Sequence, residues 1–212
     1  MDITWLGHAC FRLRARDVAI VTDPCPPEVG YRLGRLSADV VTLSHDHPGH
    51  TYLKAVAGSP RVVGGPGEYE IAGAFITGVA TYHDRQRGEQ RGKNTVYVIA
   101  VEGLRVCHLG DLGHAPTSDQ VEEMGGVDVL LVPVGGQATL SAAQAAEVVS
   151  LLEPRVVVPM HYQTPATSVP LDPVEPFLKE MGQEAVEATP RLSLTRSNLP
   201  HELQVAVLDY RG

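Results

Sequence analysis

The segment Ser44-His45-Asp46-His47-Pro48-Gly49-His50 places three imidazoles within six residues. His45 and His47 stand two apart, so in extended backbone both rings share a face and reach one metal ion, while Asp46 points the other way. His50 follows the Pro48-Gly49 turn and reaches a neighbouring position. A polar surface turn is the plain alternative, but three imidazoles directly after an apolar stretch favour metal binding. A divalent ion of borderline softness needs further N or O donors, and His83, His108, His114 and His161 all follow strand-like segments. His161, in Pro159-Met160-His161-Tyr162, ends an apolar run as His45 does, and Asp111, in Leu109-Gly110-Asp111, is placed likewise. A carboxylate only accepts and bridges two cations, which imidazole does not, so Asp111 is the expected bridging ligand.

These residues need strands that end together. Two apolar runs, Ile3 to Leu13 and Val18 to Thr22, flank the charged turn 14–17 and read as a hairpin ending at Asp23-Pro24. Asp39 to Ser44 is β-branched and nearly continuous in apolar character, the pattern of a strand buried on both faces, and it runs into His45. The second half repeats this grammar. Thr95 to Ala100 and Leu104 to Leu109 form a hairpin turning at Glu102-Gly103 and ending at Gly110-Asp111, and Asp128 to Val134 is the next buried strand. Asp23 with Asp111, Asp39 with Asp128, and Pro60-Arg61-Val62-Val63 with Pro154-Arg155-Val156-Val157 recur in one order at nearly equal separations, which points to a repeated αβ unit. Ser141 to Leu152 is a helix with a capping box at Ser141 and Gln144 and Pro154 beyond its end, completing a crossover to Arg155 to Pro159. Leu171 to Met181 reads as a weaker helix, Arg191 to Thr195 and Gln204 to Asp209 as closing strands, and Thr164 to Pro176 as an ordered rim loop. The expected fold is α/β, in one domain over 1–212 with similar halves of about 1–93 and 94–212.

Composition narrows the partners. The chain has 212 residues, 43% hydrophobic and 20% charged, as in an ordinary globular domain, with a formal net charge of -8 that disfavours nucleic acid. No apolar run is long enough to span a bilayer and the N-terminus does not read as a signal peptide, so a cytoplasmic location is expected. Cys10, Cys25 and Cys107 have no paired spacing and read as buried thiols. The run Arg85 to Lys93 is basic and follows His83; it either guides an anionic group to the site or is simply solvated. A small-molecule substrate fits these features, anionic if that loop takes part; oligomeric state is not readable.

In motif order the chain resembles the metallo-β-lactamase-fold hydrolases: Asp23-Pro24, Ser44 to His50, His83-Asp84, Gly110-Asp111 and Pro159-Met160-His161 follow one another over nearly its whole length. Trp5-Leu6-Gly7-His8 is similar to the opening of the branch that includes L-ascorbate-6-phosphate lactonase. The resemblance implies a four-layer αβ/βα sandwich of two similar halves. It also implies a first ion held by His45, His47 and His83, a second by His50 and His161, and Asp111 between them, with Asp23 orienting the histidine loop. The cofactor is then one or two divalent ions, zinc first and manganese second. Beside Asp111, His8 and His114 are the candidate catalytic side chains, lining the pocket as proton donors or substrate contacts.

The chain departs from that pattern at Gly49, where the resemblance calls for an aspartate on the second ion. Asp84 and Glu68 are the carboxylates considered as substitutes. The expected activity is a metal-dependent hydrolase acting on a lactone, another small ester or a phosphoester through a metal-activated water. The alternative, left open by Gly49, is a degenerate member with one ion or none that serves as a ligand-binding or scaffold protein.

Overall fold

The computed structural model describes residues 1–210. Two sheets pack face to face. The first comprises β1 (Asp2–Gly7), β2 (Cys10–Arg14), β3 (Ala19–Thr22), β5 (Val40–Leu43), β7 (Arg61–Gly64) and β14 (Leu192–Ser193); β4 (Leu36–Ser37) and β6 (Val56–Ala57) form a separate short ladder. The second comprises β8 (Gly67–Ile71), β9 (Ala74–Tyr82), β10 (Lys93–Val101), β11 (Leu104–His108), β12 (Val129–Pro133), β13 (Val156–Met160) and β15 (Gln204–Val205).

Both sheets run the same series. β2 and β3 are antiparallel and continue parallel to β5 and β7, while β10 and β11 are antiparallel and continue parallel to β12 and β13. Every residue of β12 and of β13 is buried, as the unbroken apolar runs require of parallel strands covered on both faces. One apolar core, with Ile3, Trp5, Phe11 and Ile20 from one sheet and Tyr97, Ile99, Leu104 and Leu130 from the other, fills the space between them.

The outer layers differ. Over the second sheet lie α1 (Ser118–Met124), α2 (Ala142–Leu152) and α3 (Glu175–Glu180); the capping box at Ser141 and Gln144 is present and a second one joins Thr117 to Gln120. Over the first sheet, Val21 and Val41 turn outward onto Val29, Tyr31, Leu36 and Val56, a smaller core covered by two 3-10 turns and the β4–β6 ladder. Pro24, Pro26 and Pro27 remove backbone donors and fix φ where a helix would start, which accounts for turns in place of a helical layer.

Four expectations need correction. Ile3 to Leu13 is two strands turning at His8-Ala9, with Gly7 opposite Cys10. The second sheet takes in the chain from Gly67 onward, because β9 bonds to β10 and β8 to β9, so the expected halves of about 1–93 and 94–212 do not coincide with the two sheets. The helix expected from Leu171 is confined to Glu175–Glu180, since the Asp172 N–H is spent on Gly135 O and its carbonyl on Gln163 N–H, and Pro173 follows. The closing strands shrink to two residues each.

Candidate metal centre

β1, β3 and β9 run in the same direction as the parallel strands they lead to, so the C-terminal ends of β1, β3, β5, β9, β11 and β13 gather at one edge. Each delivers one residue or one loop of the motif: His8, Asp23, the Ser44–His50 loop, His83, Asp111 and His161. That edge is where open α/β sheets bind ligands. Three of these residues, His8, Asp23 and His161, adopt the left-handed region at φ 54, 36 and 53. Backbone strain of this kind costs about 1–3 kcal/mol per residue and concentrates at functional sites.

Asp111 is the centre. Its Oδ2 lies 3.2 Å from His50 Nε2, 3.3 Å from His83 Nε2, 3.5 Å from His161 Nε2 and 3.9 Å from His45 Nε2. Its backbone N–H donates to Asn94 Oδ1 (3.0 Å), and Asn94 is fixed in turn by donating to Thr81 Oγ1 and Leu109 O. Gly110, at φ 57, closes the seam between sheets: a Cβ there would lie 2.5 Å from both Asn94 Oδ1 and Ser44 Cβ.

Behind the imidazoles sits Asp23, wholly buried. Its Oδ1 accepts from Ser44 N–H (2.7 Å), and its Oδ2 from Ser44 O–H (2.5 Å) and His50 Nδ1–H (3.1 Å). Because the Ser44 proton is committed to Asp23, Ser44 Oγ accepts from His45 Nδ1–H at 2.9 Å. Both rings therefore carry their proton on Nδ1 when neutral and turn a bare Nε2 toward Asp111.

The electrostatics agree. Burial lowers the pKa of His8, His45 and His161, the neighbouring imidazoles adding to it, and brings His45 to about 4, so these rings are neutral near pH 7. Burial also pulls His50 down, but Asp111 and Asp23 on either side outweigh it and raise His50 to about 10. For Asp111 burial would raise the pKa, and His161 and His50 carry it well below the usual carboxylate range. Asp111 Oδ1 and His45 Nε2 are buried with no hydrogen-bond partner among the described residues. A divalent cation fits this set, because lone pairs of one carboxylate and several imidazoles converge where a proton satisfies only one pair at a time.

Of the expected residues, the structure groups His45 with His83 and Asp111, and His45 with His47 and His50. His50, His83 and His161 converge on Asp111. His47 stays exposed at the rim, stacked on His45 at 5.8 Å, with its Nδ1 accepting Gly49 N–H. His8 lines the cavity above Asp111 from within and is 4% exposed. His114 is not among the residues that line the cavity: its Nε2 accepts Tyr82 N–H and its Nδ1 donates to Ala115 O, so both ring nitrogens tie the loop together. Neither substitute carboxylate arrives. Asp84 turns away to accept four backbone N–H groups, and Glu68 is exposed on the edge strand β8.

A cavity of about 480 Å³ opens above Asp111. Val29, Val169, Pro170 and Leu171 form its apolar wall, and Arg91 is the one Arg or Lys among its lining residues. The Pro-rich rim loop is thus ordered and in use, and Gln137 joins it from a left-handed turn after β12. The wall residues were legible only as a loop; nothing in their spacing marks them as pocket-lining.

Residues 2–161 match the beta-lactamase superfamily domain. A UPF0173 protein of Pyrococcus furiosus is 34% identical, covering 88% of this chain and 93% of its own. A UPF0173 metal-dependent hydrolase of Thermococcus onnurineus is 30% identical, covering 87% and 94%. The crystal structure of a Thermotoga maritima protein, assigned to the Zn-dependent hydrolases of the metallo-β-lactamase superfamily, superposes with a TM-score of 0.81 at 44% identity, covering 98% and 97%. No helix among the described residues is long and apolar enough to cross a membrane. The shared fold, the Asp111-centred imidazole cluster and these relatives together make the chain a metal-dependent hydrolase, and it belongs to the UPF0173 family of the metallo-β-lactamase superfamily.

Proposed function

We propose that this hydrolase cleaves a small lactone, other ester or phosphoester that carries an anionic group, with His45, His47, His50, His83, His161 and Asp111 as its metal ligands and zinc as its preferred ion. The reading is carried by one observation: the imidazole-ringed Asp111 forms the floor of a cavity whose one cationic side chain from Arg or Lys is Arg91. When bound, the divalent ion supplies Lewis acidity and draws the pKa of water toward neutrality.

The chain does the rest. Asp23 and Ser44 hold the His45 and His50 rings in the ligating tautomer, and Asn94 holds the Asp111 backbone. The cavity volume suits a small molecule, and the wall of Val29 and 169–171 shields its apolar face from water. Arg91 is carried by a loop that Asp84 organises: Oδ1 accepts from Gln86 and Gly88 N–H at 2.8 and 2.9 Å, and Oδ2 from Gln90 and Arg91 N–H at 3.1 and 2.7 Å. With its backbone so fixed, a guanidinium meets a carboxylate or phosphate at the mouth as a fork and aims the scissile centre at the floor.

The test is a panel of chromogenic lactones, esters and phosphodiesters, each in an anionic and a neutral form, with zinc- or manganese-loaded protein. Turnover is expected with anionic members, abolished in His45→Ala, with KM raised at least tenfold in Arg91→Ala for the anionic forms alone. Equal KM changes for both forms would remove the anion assignment.

A further inference from the structure

His8 has no assigned role in the ligand set described so far, yet it is the residue whose placement is hardest to explain otherwise. It occupies the first central position of the two-residue loop between β1 and β2, where positive φ ordinarily calls for glycine. An imidazole is kept there at φ 54, and the surrounding structure pins it: the His8 carbonyl accepts both Trp5 Nε1–H (2.9 Å) and His161 N–H (3.1 Å). Trp5 is anchored in the core against Tyr162, with ring centroids 4.9 Å apart. The side chain is 4% exposed, and Nδ1 is buried without a partner among the described residues. A buried polar ring at a strained position with an unmet nitrogen calls for a ligand.

Its neighbours say which kind. The His8 ring lies 4.1 Å from that of His161 and 4.7 Å from that of His50, and one nitrogen from each of the three falls within 4.8 Å of the other two. Imidazole nitrogens about 2.0–2.1 Å from a tetrahedral ion stand roughly 3.4 Å apart, so small ring rotations suffice to close on a cation. Gly49 supplies the space. A Cβ at residue 49 would lie 3.5 Å from His8 Nε2 and 3.1 Å from His47 Nδ1, so a longer side chain would extend into the volume these imidazoles occupy. The missing carboxylate and the His8 ring are thus alternatives for one place.

We propose that His8 is a ligand of the second cation, completing a three-imidazole site with His50 and His161 that shares Asp111 with the first. The assignment rests on the metal-dependent reading of the cluster and goes beyond it by saying which donor replaces the carboxylate. A donor set richer in nitrogen favours zinc or cobalt over manganese more strongly than one with an added carboxylate.

The experiment measures metal binding, with no substrate. Chelator-treated protein is titrated with Zn²⁺, and with Co²⁺ followed by its visible absorption, in wild type, His8→Asn, Gly49→Asp and the double variant. Asn tolerates the left-handed backbone, so His8→Asn keeps the fold, checked by thermal unfolding. The expected result is two ions in wild type, a second ion bound at least tenfold more weakly in His8→Asn with a changed Co²⁺ spectrum, and recovery in the double variant with Mn²⁺ gaining relative to Zn²⁺. A second ion bound equally well by His8→Asn, or one ion in both proteins, would overturn the His8 assignment while leaving the metal-dependent reading intact. No ion in wild type would overturn both.

Discussion

Replacing Asp23 by Asn changes one atom in a wholly buried side chain and should disable two of the proposed metal ligands. Ser44 N–H can only donate, so the Asn carbonyl must take the Oδ1 place and the amide NH₂ the Oδ2 place. That NH₂ then donates to Ser44 Oγ and to His50 Nδ1, both of which point their own protons at Oδ2 in the native protein. The His50 proton moves to Nε2. Ser44, now an acceptor from Asn, sends its hydroxyl proton to His45 Nδ1, and the His45 proton moves to Nε2 as well. Both nitrogens that face Asp111 become blocked. Loss of one outer partner of a metal-bound histidine costs about 10–100-fold in affinity, so loss of both through a shared carboxylate is placed at about 100-fold, or about 2.7 kcal/mol. The fold should suffer less, about 1–2 kcal/mol, because the three contacts persist with weaker partners. Asp23→Ala is the poorer probe: it leaves the Ser44 N–H and the His50 Nδ1–H buried and unmet, at about 1–3 kcal/mol each, and confounds affinity with stability. The assay is zinc affinity by competition with a chromophoric chelator, with ¹⁵N chemical shifts of the imidazoles reporting the tautomers. Native zinc affinity, or His45 and His50 still protonated on Nδ1 in Asp23→Asn, would refute the reasoning.

The same geometry sets other outcomes. Gly110→Ala must distort a left-handed backbone and push a methyl within 2.5 Å of Asn94 and Ser44, so it should cost about 3 kcal/mol or more and lower the thermal midpoint by several degrees, measured by calorimetry. Trp5→Phe keeps most of the ring packing but removes the N–H donated to His8 O; zinc stoichiometry or second-ion affinity should fall with a stability loss of about 1–2 kcal/mol. Asp84→Ala frees the four N–H groups that shape the Arg91 loop, so KM for anionic substrates should rise while zinc affinity stays within about threefold, read by steady-state kinetics and chelator competition. His50, protonated in the metal-free protein up to about pH 10, must release that proton to ligate. Apparent affinity should therefore rise about tenfold per pH unit from 7 to 9, and calorimetric heats should vary with buffer ionisation enthalpy. The raised pKa also stabilises the metal-free fold: that contribution is full below the unfolded histidine value of about 6.5 and is lost as pH rises through about 10, opposite to the trend for affinity.

How much of this the residues disclosed follows from what kind of information each feature is. The parallel strands β5, β12 and β13 were legible because burial on both faces leaves a nearly continuous apolar run, and His45 and His161 could be placed because each ends such a run. α2 was legible from its local capping box. The equivalent box at Thr117 and Gln120 was equally local and marks α1, whose seven residues are too few for a periodic stripe to stand out. The segment before His83 read as strand-like, but β8 did not, and that β9 joins the second sheet through β10, bringing β8 with it, is a matter of pairing that no local pattern encodes. The same limit applies to His8, whose value lies in contacts with residues 50 and 161, and to His114, whose place beside Asp111 in the chain did not disclose its bonds to Tyr82 and Ala115.

The division of labour between the two aspartates follows from where the imidazoles come from. Asp23 after β3 and Asp111 after β11 hold equivalent positions in the two strand series, and both are buried. Yet the Ser44–His50 loop grows from the strand beside β3, so its rings stand in front of Asp23, which meets His50 at Nδ1, the Ser44 N–H and the Ser44 hydroxyl, and through that hydroxyl His45 at Nδ1. Asp111 reaches the same rings from across the seam and meets their Nε2 side, joined by His83 and His161 from its own sheet. One carboxylate can then fix protons because the other faces lone pairs, and exchanging their roles would require moving the histidine loop to the second sheet. Asp111→Asn should for this reason be more damaging to metal binding than Asp23→Asn. It alters a proposed bridging ligand itself, so zinc stoichiometry rather than affinity alone should fall; two zinc ions retained by Asp111→Asn would contradict the assignment of the two roles.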